Sequence, residues 1–162
     1  MSELEQITNV LLRYATGIDS RNWNLFRTCF TEDCQLDYGA LGTWSSREAV
    51  TCFMQLSHSG PSLHRLSNFA ITIGDNWARA RTYVDALVLG PGGWGGASSI
   101  GYYDDELIQT AAGWQIAKRR YTGVRMKFLG VLCIIPSSIA MRLAALGARR
   151  FNAAAMGKLQ KA

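Results

Sequence analysis

Two short stretches carry side chains that could move a proton. Tyr14 and Asp19 lie in Arg13-Tyr14-Ala15-Thr16-Gly17-Ile18-Asp19, and His64 and Asn68 lie in Leu63-His64-Arg65-Leu66-Ser67-Asn68-Phe69. An imidazole titrates near neutral pH and suits base work. A carboxylate that holds it, with a tyrosine beside both, makes a set able to transfer protons without a metal or cofactor. Each residue also has a plainer use. Asp19 can bond the amides of a Ser20-Arg21 turn, His64 can be a satisfied strand residue, and Tyr14 can be a core aromatic with one hydrogen-bond partner. Asp85 interrupts the apolar half of Arg81-Thr82-Tyr83-Val84-Asp85-Ala86-Leu87. A buried unpaired carboxylate is costly, so Asp85 faces water, pairs with an arginine, or lines a polar spot in a pocket, with Tyr83 on its face. His58, in the polar run Ser57-His58-Ser59, reads as a surface residue. Two histidines and four scattered cysteines, Cys29, Cys34, Cys52 and Cys133, show no HxH, HExxH or CxxC spacing. That argues against a metal site and for free thiols in a reducing compartment.

The elements that must position these groups follow from periodicity. Ser2 and Glu5 make a capping box, and Leu4, Ile7, Leu11, Tyr14 and Ile18 follow at helical spacing, so a helix ends near Asp19. A short second helix over residues 22–29 and a strand over 34–38 come next. Ser45 and Glu48 form a second capping box for a helix to about residue 56, which Gly60-Pro61 ends. Period-two patterns then predict strands over 64–73, 77–89, 98–110 and 114–126. They put His64 and Asn68 on one face. Helices first and a mostly antiparallel sheet after them mean α+β, and no GxGxxG phosphate loop opens a helix.

The 162 residues fit one domain. The net charge of +5 is uneven: residues 1–106 hold seven Lys/Arg and all twelve acids, and residues 107–162 hold ten Lys/Arg and no acid. A nucleic-acid-binding domain is not built this way, so no nucleic acid is expected as a partner. The acidic N-terminus without an apolar signal region points to a cytoplasmic protein, and no apolar run reaches the roughly 18 residues of a membrane span. Residues 127–162 form a basic, apolar extension with a helix expected over 137–151. It packs across a pocket mouth or onto a partner subunit. The alternative is an interfacial helix in peripheral membrane contact, although Gly147 and the alanine-rich end weaken its apolar face.

Three stretches, RYATGIDSRNWNLFRTCFTEDC, HRLSNFAITIGDNWARARTYV and YYDDELIQTAAGWQIAKRRY, resemble the SnoaL-like branch of the nuclear transport factor 2 superfamily, over roughly residues 3–126. The resemblance implies a cone-shaped α+β barrel over residues 1–126, with three N-terminal helices on a curved, mostly antiparallel sheet. It also implies a homodimer or homotrimer. Within the superfamily the pattern is similar to scytalone dehydratase, bile-acid 7α-dehydratase and hexachlorocyclohexane dehydrochlorinase. Those enzymes pair an aspartate at the end of the first helix with a histidine at the start of a central strand, which correspond here to Asp19 and His64. The likeness implies that His64 removes a proton next to an activating group, Asp19 holds the imidazole, and Tyr14 donates to a substrate oxygen. Asp85 is the nearest match to an acid on the bile-acid enzyme's second long strand, and Arg125 to an arginine on its last strand. With Asn68 and Tyr83 they make the expected substrate contacts. Gln109 stands where the dehydrochlorinase has arginine, which argues against halide elimination. The expected function is a cofactor-independent lyase, a dehydratase of secondary metabolism. Its substrate is a lipophilic hydroxylated polycyclic, polyketide-, steroid- or terpenoid-like molecule. An isomerase or cyclase using the same dyad and a non-catalytic binding module are the alternatives.

Overall fold

The computed structural model describes residues 1–129, and the helix expected over 137–151 lies outside them. Ser2 caps α1 (Glu3–Asp19): its hydroxyl accepts from the Glu5 amide, and the Glu5 carboxylate accepts from the Ser2 amide. The reciprocal bonds satisfy two of the amide donors that every helix start leaves open. One face of α1 carries Ile7, Leu11, Tyr14 and Ile18, all buried. Asn22 caps the short α2 (Trp23–Arg27). After β1 (Phe30–Asp37) and the two-residue β2 (Thr43–Trp44) comes α3 (Arg47–Ser57). Its cap is Ser46, whose hydroxyl accepts from the Ala49 amide, one residue later than the Ser45 box predicts. Glu48 turns instead to Arg27 of α2, at 2.7 Å.

Four long strands follow: β3 (Ser62–Ile73), β4 (Trp77–Leu89), β5 (Gly96–Thr110) and β6 (Gly113–Leu129). With β1 and β2 they make one six-stranded sheet in the order β2-β1-β6-β5-β4-β3, antiparallel except where β1 runs parallel to β6. The sheet is curved but open, since its edges β2 and β3 do not meet, so the expected barrel is not closed. That parallel pairing begins at Phe30, which makes β1 longer than its own sequence pattern suggests. The inward face of β4 is small, with Ala78, Ala80, Thr82, Val84 and Ala86 buried, and it leaves room for the helices. Among the described residues no helix is long and apolar enough to cross a membrane.

Three register shifts among the four long strands alter which side chains face inward. They fall between Ser67 and Ala70 of β3 and opposite Ile100/Gly101 and Glu106/Leu107 of β5. In β3 two residues, Asn68 and Phe69, stand where β4 offers only Thr82, and Asn68 takes a left-handed φ of 51°. Asparagine tolerates that conformation better than most residues.

Gly17 sets the spacing between α1 and α2, because a Cβ there would stand 2.9 Å from the Phe26 amide nitrogen. Alanine ordinarily improves a helix interior by about 1 kcal/mol over glycine. Here the obstructing atom is backbone, so Gly17→Ala is expected to lower stability by about 1–3 kcal/mol in a urea titration. A gain would show that α2 can move off α1.

Candidate active site

The C-terminus of α1 brings Asp19 against the start of β3. Carbonyl groups at a helix end repel an anion, and donors from β3 meet it. Asp19 Oδ1 accepts from Ser62 Oγ at 2.8 Å and from His64 Nδ1 at 2.7 Å, and Oδ2 accepts from the His64 amide at 2.7 Å. Arg21, in the left-handed region at φ 58°, donates from Nη1 to the Ile18 carbonyl at 2.7 Å and to Ser62 Oγ at 2.9 Å. The Ser20 and Arg21 amides bond the Thr16 and Ile18 carbonyls, so the carboxylate is not occupied by its own turn. Burial pushes the Asp19 carboxyl up, but the bonds from His64 and Ser62 outweigh it and hold the group below its ordinary range. An ionised carboxylate only accepts, so His64 carries a proton on Nδ1 and, in the neutral ring, presents Nε2 as the basic atom.

His64 forms part of the wall of a cavity of about 230 Å³. Phe53, Met54, Val84, Ala86 and Val88 give it an apolar lining, and Tyr14, Tyr38, Tyr103 and Tyr121 give it hydroxyls. Tyr14 Oη lies 3.0 Å from Tyr38 Oη and 3.5 Å from Tyr103 Oη, while Tyr121 bonds Ser99. Burial pushes the phenols of Tyr14, Tyr38 and Tyr103 above their ordinary value, so they remain protonated and able to donate. Behind them Arg119 and Asp105 form a buried two-bond ion pair, at 2.7 and 2.8 Å. The guanidinium lies 4.0 Å from the Tyr14 ring centre and 4.1 Å from that of Tyr103. A cation over a ring face draws electron density from the ring and strengthens its O–H as a donor. A base thus faces a cluster of donors in an apolar enclosure, with the Tyr14 and His64 ring centres 6.5 Å apart. Among the described residues no group of three or more His, Cys, Asp or Glu side chains is placed to hold a metal ion.

The fold brings together Asp19, His64 and Tyr14, and not the other four expected residues. Asp85 and Tyr83 share a face of β4, and that face is the outer one. There Asp85 pairs with Arg65 at 2.7 Å and Tyr83 packs against Tyr102. Asn68 is exposed within the β3 bulge, which breaks the alternation that would align it with His64. Arg125 is exposed on β6, next to Met126, which lines the cavity. A second hollow, a groove of about 730 Å³, includes Arg81, Asp104, Glu106 and Lys118, whose charges pair between neighbouring strands.

Sequence reading misses Tyr38, Tyr103, Tyr121 and the Arg119–Asp105 pair, which only the tertiary fold gathers. It also misplaces His58, which is buried at 8% exposure. The chain leaves α3 at His58 so that the ring turns inward, 5.6 Å from the His64 ring, with Nδ1 3.2 Å from the Met54 carbonyl oxygen. Burial, and next the neighbouring His64, push His58 down to about 4.

A family model described as a SnoaL-like domain matches residues 1–120. An uncharacterised protein of Mycobacterium tuberculosis strain H37Rv is 27% identical over 133 residues, covering 80% of this chain and 90% of the relative. Three solved structures share the fold. A protein of Kribbella flavida superposes with a TM-score of 0.71 at 20% identity, over 77% of this chain and 93% of its own. A scytalone dehydratase-like protein of Novosphingobium aromaticivorans gives 0.67 at 17% identity, over 83% and 95%. A hexachlorocyclohexane dehydrochlorinase of Novosphingobium barchaimii gives 0.70 at 14% identity, over 82% and 93%.

The fold favours neutral His58, so its contribution to stability is whole above the unfolded value of 6.5 and is lost as the pH falls through about 4. Denaturant titrations across that window should show a loss of roughly 3 kcal/mol in the wild type that is absent from His58→Phe. Equal acid sensitivity of the two proteins would mean that His58 charges freely in the folded state.

Proposed function

The chain belongs to the SnoaL-like domain family, and on that premise we propose that it is a cofactor-independent lyase. Its reaction is the elimination of water from a hydroxylated polycyclic, polyketide- or steroid-like molecule. The observation that carries this reading is the 2.7 Å bond between His64 Nδ1 and the Asp19 carboxylate, placed at the wall of an apolar cavity. The names of two structural neighbours, a dehydratase and a dehydrochlorinase, support the choice of reaction class.

A suitable substrate has a carbonyl group and a hydroxyl on the β-carbon. Tyr14, backed by Tyr38 and Tyr103, donates to the carbonyl oxygen and stabilises negative charge as it develops there. His64 Nε2 takes the proton from the α-carbon, and the C–H electron pair moves into the enolate. Asp19 stabilises the imidazolium that results. Collapse of the enolate forms the carbon–carbon double bond and breaks the C–O bond. The Nε2–H returns its proton to the departing oxygen, which leaves as water, and the base is restored.

Incubation with a panel of hydroxysteroids and β-hydroxy ketones, followed by mass spectrometry, tests the reading. The wild type should yield a product lighter by one water. His64→Ala should lower kcat/KM by about a hundred- to ten-thousandfold, and Asp19→Asn by about a hundredfold or more, since it releases the imidazole tautomer. Turnover that survives in His64→Ala would refute the mechanism. Products of unchanged mass that disappear in His64→Ala would instead make the protein an isomerase or cyclase working through the same dyad.

A further inference from the structure

His58 lines the same cavity as His64 but takes no part in the chemistry above. The Met54 carbonyl can only accept, so the bond at 3.2 Å assigns the proton to His58 Nδ1. Ser57 Oγ, at 2.9 Å, lies on the same side of the ring. The neutral ring then carries a bare lone pair on Nε2, at the opposite edge. That atom is withdrawn from solvent and has no hydrogen-bond partner among the described residues. A buried acceptor left unmet costs free energy, and a ligand that supplies a donor recovers it.

We infer that His58 is a specificity-determining residue, whose Nε2 accepts a hydrogen bond from a hydroxyl that the substrate carries and the product keeps. The inference rests on reading the cavity as the substrate site. The second half of the claim follows from charge. An unprotonated Nε2 draws the hydroxyl's own proton toward itself, which raises negative charge on that oxygen and opposes its departure, so the oxygen held at His58 is not the one that leaves. The groups around His58 keep it in this state. Burial and the nearby His64, with a smaller contribution from Arg21, disfavour its cation and outweigh the Met54 carbonyl and Asp19, which favour it. When His64 takes up the substrate proton, His58 therefore stays neutral. The substrate class narrows accordingly: a polycyclic or alicyclic molecule with a second, retained hydroxyl about one imidazole's reach from the carbon that His64 deprotonates. A carbonyl or carboxylate at that position would set acceptor against acceptor and be rejected.

Two ligands of the same ring system separate the contributions: 2-naphthol, which has a hydroxyl donor, and 2-methoxynaphthalene, which has none. The chain has only two histidines, so imidazole nitrogen NMR on the labelled wild-type protein reads each directly. At neutral pH His58 should be protonated on Nδ1 and bare on Nε2, and 2-naphthol alone should shift the Nε2 resonance. By fluorescence titration, the wild type should prefer 2-naphthol by about tenfold or more. His58→Phe should lose the preference while keeping its affinity for 2-methoxynaphthalene. A proton found on His58 Nε2 overturns the inference, as does an equal preference in the variant. If 2-naphthol moves the His64 signals but not those of His58, this inference falls and the cavity reading stands. If neither histidine responds, both fall.

Discussion

An anion at the wrong end of a helix is the constraint on which the rest of this structure depends. Asp19 sits where the α1 carbonyls disfavour negative charge, and the donors its carboxylate receives come from Ser62 and His64 of β3. Moving α1 along the sheet would strip the carboxylate of those bonds and leave a part-buried charge unmet. The helix and the first residues of β3 are therefore fixed to each other by the same bonds that aim the His64 ring. Gly17, by letting α2 lie close against the last turn, and Arg21, by bonding the exposed carbonyls, complete the arrangement from the other side.

The far side of the cavity follows a different logic. Arg119 and Asp105 are a buried ion pair, a kind of contact that seldom adds to stability once desolvation is counted. Its place between the Tyr14 and Tyr103 rings gives it a second use, because it polarises hydroxyls that burial already keeps protonated. The pair spans β5 and β6, Tyr14 comes from α1, and the Asp19 bonds tie His64 of β3 to α1, so imidazole and hydroxyls are held by one set of packed elements. Groups fixed before a substrate arrives need not reorganise when charge moves.

Much of this was legible in the residues and part of it was not, for reasons that differ by position. The Ser2–Glu5 box and the spacing of Ile7, Leu11, Tyr14 and Ile18 are local, so α1 could be drawn with its end at Asp19. The strands were marked by alternation and by the Gly74-Asp75-Asn76 and Ala111-Ala112-Gly113 turns. The start of α3 was displaced by one residue because Glu48 answers to Arg27, a partner no local pattern contains. Alternation showed that Tyr83 and Asp85 share a face, but only the helices packed on the other side of β4 make theirs the outer one. The bulge at Asn68 carries no mark beyond an asparagine, and it separates that residue from His64. His58 sits between two serines and looked solvated, yet the cavity it faces is made by strands that come later in the chain.

The amide that Asp19 covers belongs to the last strand of the open sheet. An uncovered edge offers amides and carbonyls to any extended segment from another molecule, and proteins that leave such edges bare tend to associate through them. The carboxylate that orients the His64 imidazole therefore also caps the edge of β3 at His64. Under the proposed reaction, two pressures, one for proton transfer and one against association through the edge, act on a single side chain. A relative without the proposed reaction would still gain from an acidic residue at position 19. The aspartate by itself is therefore a poor marker of the proposed activity, and the imidazole it holds is the better one.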